Sequence, residues 1–315
     1  MSKYRAKLPQ LGGALFLTDG GLETTLVFLK GMDLPYFAAF DLMRSPEGRA
    51  TLRDYFETYI GIARAGGYGF ILEAPTWRAS SDWGRKLGYS REELAAINRD
   101  SIALLEALRA KFETDSLPMV VSGCVGPRGD GYDPGQVMTA ETAQTYHAEQ
   151  IGALAEGGAD LITAITMTNI PESIGIVRAA RAAGMPVAIA FTLETDGKLP
   201  TGESLMEAVT AVDRATGGSP AYYMINCAHP THFAGVLAEG GTWLKRLRGL
   251  RANASKRSHA ELDASTDLDA GDPAELGGQY ESLIRRHAQI TILGGCCGTD
   301  HRHIEAIAGA CRHAA

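Results

Sequence analysis

The sequence predicts a (β/α)8 barrel, an α/β fold, built as a single domain over residues 1–315. Three observations carry that reading. Eight short apolar, β-branched or aromatic runs alternate with longer amphipathic stretches, as βαβ units with a parallel sheet require. Glycines punctuate the ends of the helical stretches, as in Ala65-Gly66-Gly67, Glu156-Gly157-Gly158 and Ala183-Gly184. No G-x-G-x-x-G follows the first strand, which disfavours the competing open, doubly wound sheet.

The strands fall in order at Ala14–Thr18, Gly69–Glu73, Met119–Gly123, Leu161–Ile165, Val187–Phe191, Tyr222–Asn226, Leu250–Asn253 and Ile290–Leu293. Helical patterning covers Glu47–Ala65, Arg91–Phe112, Ala140–Ala155 and Pro171–Ala183. The stretch Ala254–Gly278, rich in Ser, Asp and Gly, reads as a long excursion between the seventh strand and its helix. A chain of 315 residues buries a large core without covalent staples.

Composition narrows the function. Hydrophobic residues make up 45% and charged residues 21%, an ordinary globular balance. The net charge of −7 argues against nucleic-acid binding, which needs a basic face. No window approaches the run of about 18 apolar residues that spans a membrane, and the first residues lack a signal peptide's apolar stretch. The expected location is the cytoplasm, with small molecules as partners and neither nucleic acid nor membrane. Oligomeric state is not legible in the sequence.

Five cysteines, two of them adjacent, point to metal or thiol chemistry rather than disulfides. In such a barrel the active face is built at the strand C-termini. Cys227 directly follows the sixth strand, and Gly294-Gly295-Cys296-Cys297-Gly298 follows the eighth. Adjacent cysteines on a regular strand point to opposite faces, but from a bend framed by glycines both can reach one centre. Three soft thiolates favour Zn2+ over magnesium or calcium and leave a fourth tetrahedral position open. Cys124 and Cys311 read instead as buried small hydrophobes.

These motifs resemble those of the homocysteine S-methyltransferase family. Asn226-Cys227 and Gly294-Gly295-Cys296-Cys297-Gly298 are similar to its two zinc-ligand motifs. Asp19-Gly20-Gly21-Leu22-Glu23-Thr24 is similar to its opening motif, Gly126-Pro127 to its turn after the third strand, and Asn253-Ala254-Ser255 to its segment after the seventh. The resemblance covers nearly the whole chain. It implies a zinc held by Cys227, Cys296 and Cys297, and homocysteine as the thiol acceptor. The methyl donor would be an onium compound such as S-methylmethionine, S-adenosylmethionine or a betaine. The product would be methionine. No catalytic residue beyond the zinc-activated substrate thiolate is implied.

Two departures matter. The family run F-E-T-x-P-N after the fourth strand carries a glutamate that holds the homocysteine ammonium. Here the run is Ala164-Ile165-Thr166-Met167-Thr168-Asn169, with Ile165 at that place. Asp19, helped by Glu73 or Glu194, is the expected replacement, and Thr76, Thr166 and Asn226 complete the expected substrate-binding set. After the second strand, Glu73-Ala74-Pro75-Thr76-Trp77 replaces a T-N-T-like run. Trp77 there reads either as a cation–π wall for an onium donor or as a rim aromatic. His229, two residues beyond Cys227, reads as a loop histidine. Ile165 also keeps two alternatives open: a family relative with another thiol acceptor or methyl donor, and a zinc-binding barrel without turnover.

Overall fold

In the computed structural model, which describes residues 2–312, eight parallel strands close into one barrel in sequence order. The strands are β1 (Phe16–Leu17), β2 (Gly69–Glu73), β3 (Met119–Val125), β4 (Leu161–Met167), β5 (Val187–Thr192), β6 (Tyr222–Asn226), β7 (Leu247–Ala252) and β8 (Ile292–Gly295). The barrel helices between and after them are α1 (Pro46–Gly66), α2 (Arg91–Phe112), α3 (Ala140–Gly157), α4 (Ile170–Ala182), α5 (Leu205–Thr216), α6 (Pro230–Ala238), α7 (Pro273–Arg286) and α8 (His301–Cys311). Closure is direct: β1 pairs with β8, with Phe16 opposite Ile292 and Leu17 opposite Leu293.

The helix starts follow local chemistry. Ser45, Ser90, Thr139, Asn169 and Ser204 each cap a helix by accepting a backbone N–H three residues on. Gly67, Gly158 and Gly217 close α1, α3 and α5 in the left-handed conformation.

Two apolar layers result. Phe16, Ile71, Val120, Leu161, Ala188, Tyr222, Met224 and Ile292 fill the barrel interior. A larger cluster lies between the strands and the surrounding helices. Leu8 packs into the interior layer, and the Gln10 amide reaches the Tyr222 hydroxyl at 3.5 Å, so the segment before β1 plugs the N-terminal face. The opposite, C-terminal face is left for the site.

Several boundaries differ from the expected ones. β7 starts three residues earlier than Leu250, because Leu247 and Gly249 already pair with Tyr223 and Met224. β8 starts two residues later than Ile290: the turn at Ala288–Gln289 runs up to it, and Thr291, bonded to Arg248 O and to the Phe16 N–H, leads into the strand at Ile292. The segment Ala254–Gly278 is less irregular than its composition suggests. A short helix spans His259–Asp263, and α7 begins at Pro273, with Asp272 accepting from the Ala274 and Glu275 N–H groups. No helix among the described residues is long and apolar enough to cross a membrane.

Candidate metal centre and active site

Strands β6 and β8 flank β7, and their registers align Asn226 with Arg251 and Arg251 with Gly294. Both cysteine motifs therefore leave the barrel at one level. Cys227 donates its N–H to Arg251 O and then turns with φ +51°, a left-handed bend in a non-glycine residue. Cys296 donates to Ala252 O, and Cys297 O accepts from Ala254, so the exit of β7 clamps both ends of the cysteine pair. Gly298, at φ +78°, completes the turn.

The three sulfurs lie within 4.8 Å of one another. The Cys227 and Cys297 sulfurs are 3.8 Å apart. That matches the roughly 3.8 Å expected between two ligands of a tetrahedral ion with bonds near 2.3 Å. Cys227 and Cys296 are joined as a disulfide, with their Cα atoms 5.4 Å apart. Three sulfurs converging from two strand exits fit a soft metal once that pair is reduced. Cys124 and Cys311 are buried and unpaired.

Around the sulfurs, Thr166 and Asn226 form a reciprocal pair. The Thr166 N–H donates to Asn226 Oδ1 at 2.8 Å, and Asn226 Nδ2 donates to Thr166 Oγ1 at 3.0 Å. Asn226 Nδ2 is 3.8 Å from the Cys296 sulfur, and Thr166 Oγ1 is 3.9 Å from the Cys227 sulfur. Thr166 reaches them because β4 slips register between Ala164 and Met167 and Thr166 turns to φ +61°. Ile165 packs against the barrel-interior layer, so an apolar side chain stands where the family places a carboxylate.

The other expected residues have defined partners. Asp19 is buried, with Oδ1 at 2.7 Å from Arg251 and Oδ2 accepting from Tyr55 at 3.1 Å. Burial raises its pKa, and Arg251 and Tyr55 oppose that rise. Glu73 lies 4.0 Å from the same guanidinium, and burial pushes it up to about 7. Thr76 donates its hydroxyl to Cys124 O at 2.7 Å. Glu194 holds His259 Nδ1 at 3.0 Å, and His259 Nε2 meets Cys227 O at 2.7 Å. His229 is the N-cap of α6 rather than a loop residue without a role, and burial lowers its pKa to about 4.

Sequence reasoning missed four contributors. Arg251 is a buried charge inside an apolar strand, and that pattern was its available signal. Tyr132 brings its hydroxyl within 3.2 Å of the Cys297 sulfur. It stacks on His259 at 3.9 Å, so the loops after β3 and β7 meet over the cysteines. Glu23, in the opening motif, is half-buried beside the cysteine turn. No local pattern signals Tyr132 or His259, because only the closed barrel brings their loops together.

A closed parallel barrel with three converging cysteine sulfurs at its C-terminal face defines the class: a barrel protein built for thiol or metal chemistry at that face. The sequence profile of the homocysteine S-methyltransferase family matches residues 16–311, and the chain belongs to that family, whose members are methyltransferases. Homocysteine S-methyltransferase 3 of Zea mays is 27% identical over 94% of this chain and 89% of its own length. Selenocysteine Se-methyltransferase of Brassica oleracea var. italica is 24% identical over 94% and 88%. The oxidized form of the homocysteine methyltransferase MmuM from Escherichia coli superposes with a TM-score of 0.73 at 21% identity, covering 98% of this chain and 99% of that one. Its metallated form gives 0.69 at 20% identity, covering 94% and 96%. These two likenesses show a shared fold.

Proposed function

We propose that this protein transfers a methyl group from an onium-type donor to the thiolate of homocysteine, forming methionine, with a zinc ion held by Cys227, Cys296 and Cys297. The observation that carries the reading is the convergence of three sulfurs from two strand exits, in a chain of this family. Bound zinc would hold the acceptor sulfur as a thiolate, which a free thiol of pKa near 8.5 largely is not at neutral pH.

The chain's own residues position the reactants. Asn226 and Thr166 flank the sulfurs and are the nearest candidates to touch the acceptor. Asp19 and Glu73 act through Arg251, whose Nε donates to Gly295 O just before the cysteine pair. Glu194 acts through His259 on the Cys227 carbonyl, and Thr76 fixes the exit of β3. Tyr132 stands over the sulfurs from the β3 loop, and Trp77, from the β2 loop, packs against Gly126 and Gly131. The donor's sulfonium or ammonium would then present its methyl carbon in line with the thiolate.

A second reading, a different thiol acceptor, is favoured by Ile165. The relative named for selenocysteine indicates that acceptor choice varies within this family. One experiment decides. Protein purified under reducing conditions and loaded with zinc is assayed with homocysteine and a panel of S-methylmethionine, S-adenosylmethionine and betaine. Methionine formation with one of the donors is expected, together with about one zinc per chain that is lost in Cys297→Ser. Full zinc content without methionine, but with methylation of another thiol, would establish the second reading. Zinc without turnover of any thiol would leave a non-catalytic zinc-binding barrel.

A further inference from the structure

We infer that Glu23 is the specificity-determining residue for the acceptor: its carboxylate, carried on the loop after β1, receives the substrate ammonium in place of the carboxylate missing at Ile165. This inference rests on the proposed acceptor being an amino-acid thiol.

Placement is the first argument. The segment from Gly21 to Thr24 lies directly against the cysteine turn. Gly21 N–H donates to Thr299 O at 3.0 Å. A Cβ at Gly21 would come within 2.6 Å of Cys296 O. Gly298 N–H donates to Thr24 Oγ1 at 3.3 Å. Glu23 sits between these anchors, two residues from Gly21 and next to Thr24.

The second argument is the absence of a partner. Asp19, Glu172 and Glu194 around the barrel mouth are each engaged by a cation, a histidine or a hydroxyl, and the buried Glu73 faces Arg251 at 4.0 Å with its Oε2 unpartnered. Among the described residues Glu23 makes no hydrogen bond to another residue's side chain and no ion pair; the one donor acting on its carboxylate is its own backbone N–H. The nearest cations do not supply one. Arg78 donates to Tyr36 O at 2.7 Å, lies 3.5 Å from Asp130 and covers the Trp83 ring at 4.0 Å; its Nε is unpartnered, and it forms no ion pair with Glu23. Arg251 pairs with Asp19 and lies 4.0 Å from Glu73, and it forms no ion pair with Glu23. A carboxylate desolvated without a cation is costly and favours its neutral form, and burial does push Glu23 up to about 7. An incoming ammonium would supply the missing charge.

The third argument is exclusion. Ile165 offers no acceptor for an ammonium, and the Asp19 charge is already matched by a guanidinium and a tyrosine hydroxyl. Glu23, by contrast with the buried Asp19, combines a charge without an ion-pair partner with partial solvent access.

The test compares thiols with and without the amino group. Zinc-loaded protein and its Glu23→Gln and Asp19→Asn variants are titrated calorimetrically with homocysteine and with 4-mercaptobutyrate, and zinc content is measured for each. Glu23→Gln should weaken homocysteine binding by roughly ten- to a hundredfold, the span of a charge-assisted hydrogen bond. It should change 4-mercaptobutyrate binding less than about threefold and leave zinc content unchanged. Equal losses for both thiols, a loss confined to Asp19→Asn, or a loss that appears only in the affinity for the methyl donor would each overturn the inference. Failure of the unmodified protein to prefer homocysteine over 4-mercaptobutyrate would overturn it too. Homocysteine binding that depends on Glu23 but yields no methionine with any donor would support the inference and defeat the proposed function.

Discussion

At the scale of single residues, the feature with the largest energetic stake is Arg251. Its guanidinium is buried between Asp19 and Glu73, and one of its Nη atoms has no hydrogen-bond partner. Pairing offsets the desolvation of these charges without making the group a net source of stability. Removing one partner is different, because the carboxylates then stay buried and uncompensated. Arg251→Met should lower the unfolding free energy by about 3–5 kcal/mol. Adding Asp19→Asn should recover part of that loss, by a double-mutant cycle in urea. If Arg251→Met alone were neutral, the triad would be a passive filler of the barrel mouth.

At the scale of elements, the cysteine turn after β8 depends on a loop that follows β1. The two meet because β1 and β8 close the barrel. Gly21 lies where a Cβ would meet the Cys296 carbonyl, a backbone atom that cannot swing aside. Gly21→Ala should therefore push the turn outward and misplace Cys296 and Cys297. Zinc affinity, measured by chelator competition on reduced protein, should fall by about tenfold or more, as for other changes to groups supporting metal ligands. The barrel should stay folded, because nothing in its two apolar layers is touched. An unchanged affinity would mean that the turn holds its shape without support from the β1 loop.

At the scale of the whole molecule, the last helix ties the site to global stability. Asp300, three residues after Cys297, caps α8 and pairs with Arg302 and His303. These partners pull its pKa down to about 2, with burial as the largest opposing influence. A depressed carboxylate pKa stabilises the fold above the unfolded value near 3.9. That contribution is lost as pH falls through the folded value. The shift corresponds to about 2 kcal/mol. Asp300→Asn should lower stability by roughly this amount at pH 7, and the gap to the unmodified protein should close as pH falls from about 4 to 2. A gap that persists at pH 2 would assign the loss to capping geometry rather than to charge.

The sequence by itself determined the alternation of strands and helices, the barrel they form and the three cysteines at two strand exits. These are local or periodic properties: apolar runs of strand length, capping residues before helices, glycines after them, and cysteines placed just past a strand. β2 and β6 and the helix Arg91–Phe112 were legible to the residue for that reason. The starts of β7 and β8 were displaced by three and two residues, since pairing with neighbouring strands, not local propensity, sets where a strand begins. Only the tertiary structure decided which carboxylates are free. Asp19, Glu73, Glu194 and Glu23 look alike in a sequence. Arg251 and Tyr132 lie more than a hundred residues from most of their partners, His259 lies 65 residues from Glu194 and 32 from Cys227, and closure of the barrel assigns all three. The partner of a charge is a long-range property, and its unmatched state can be read only when every neighbour is in place.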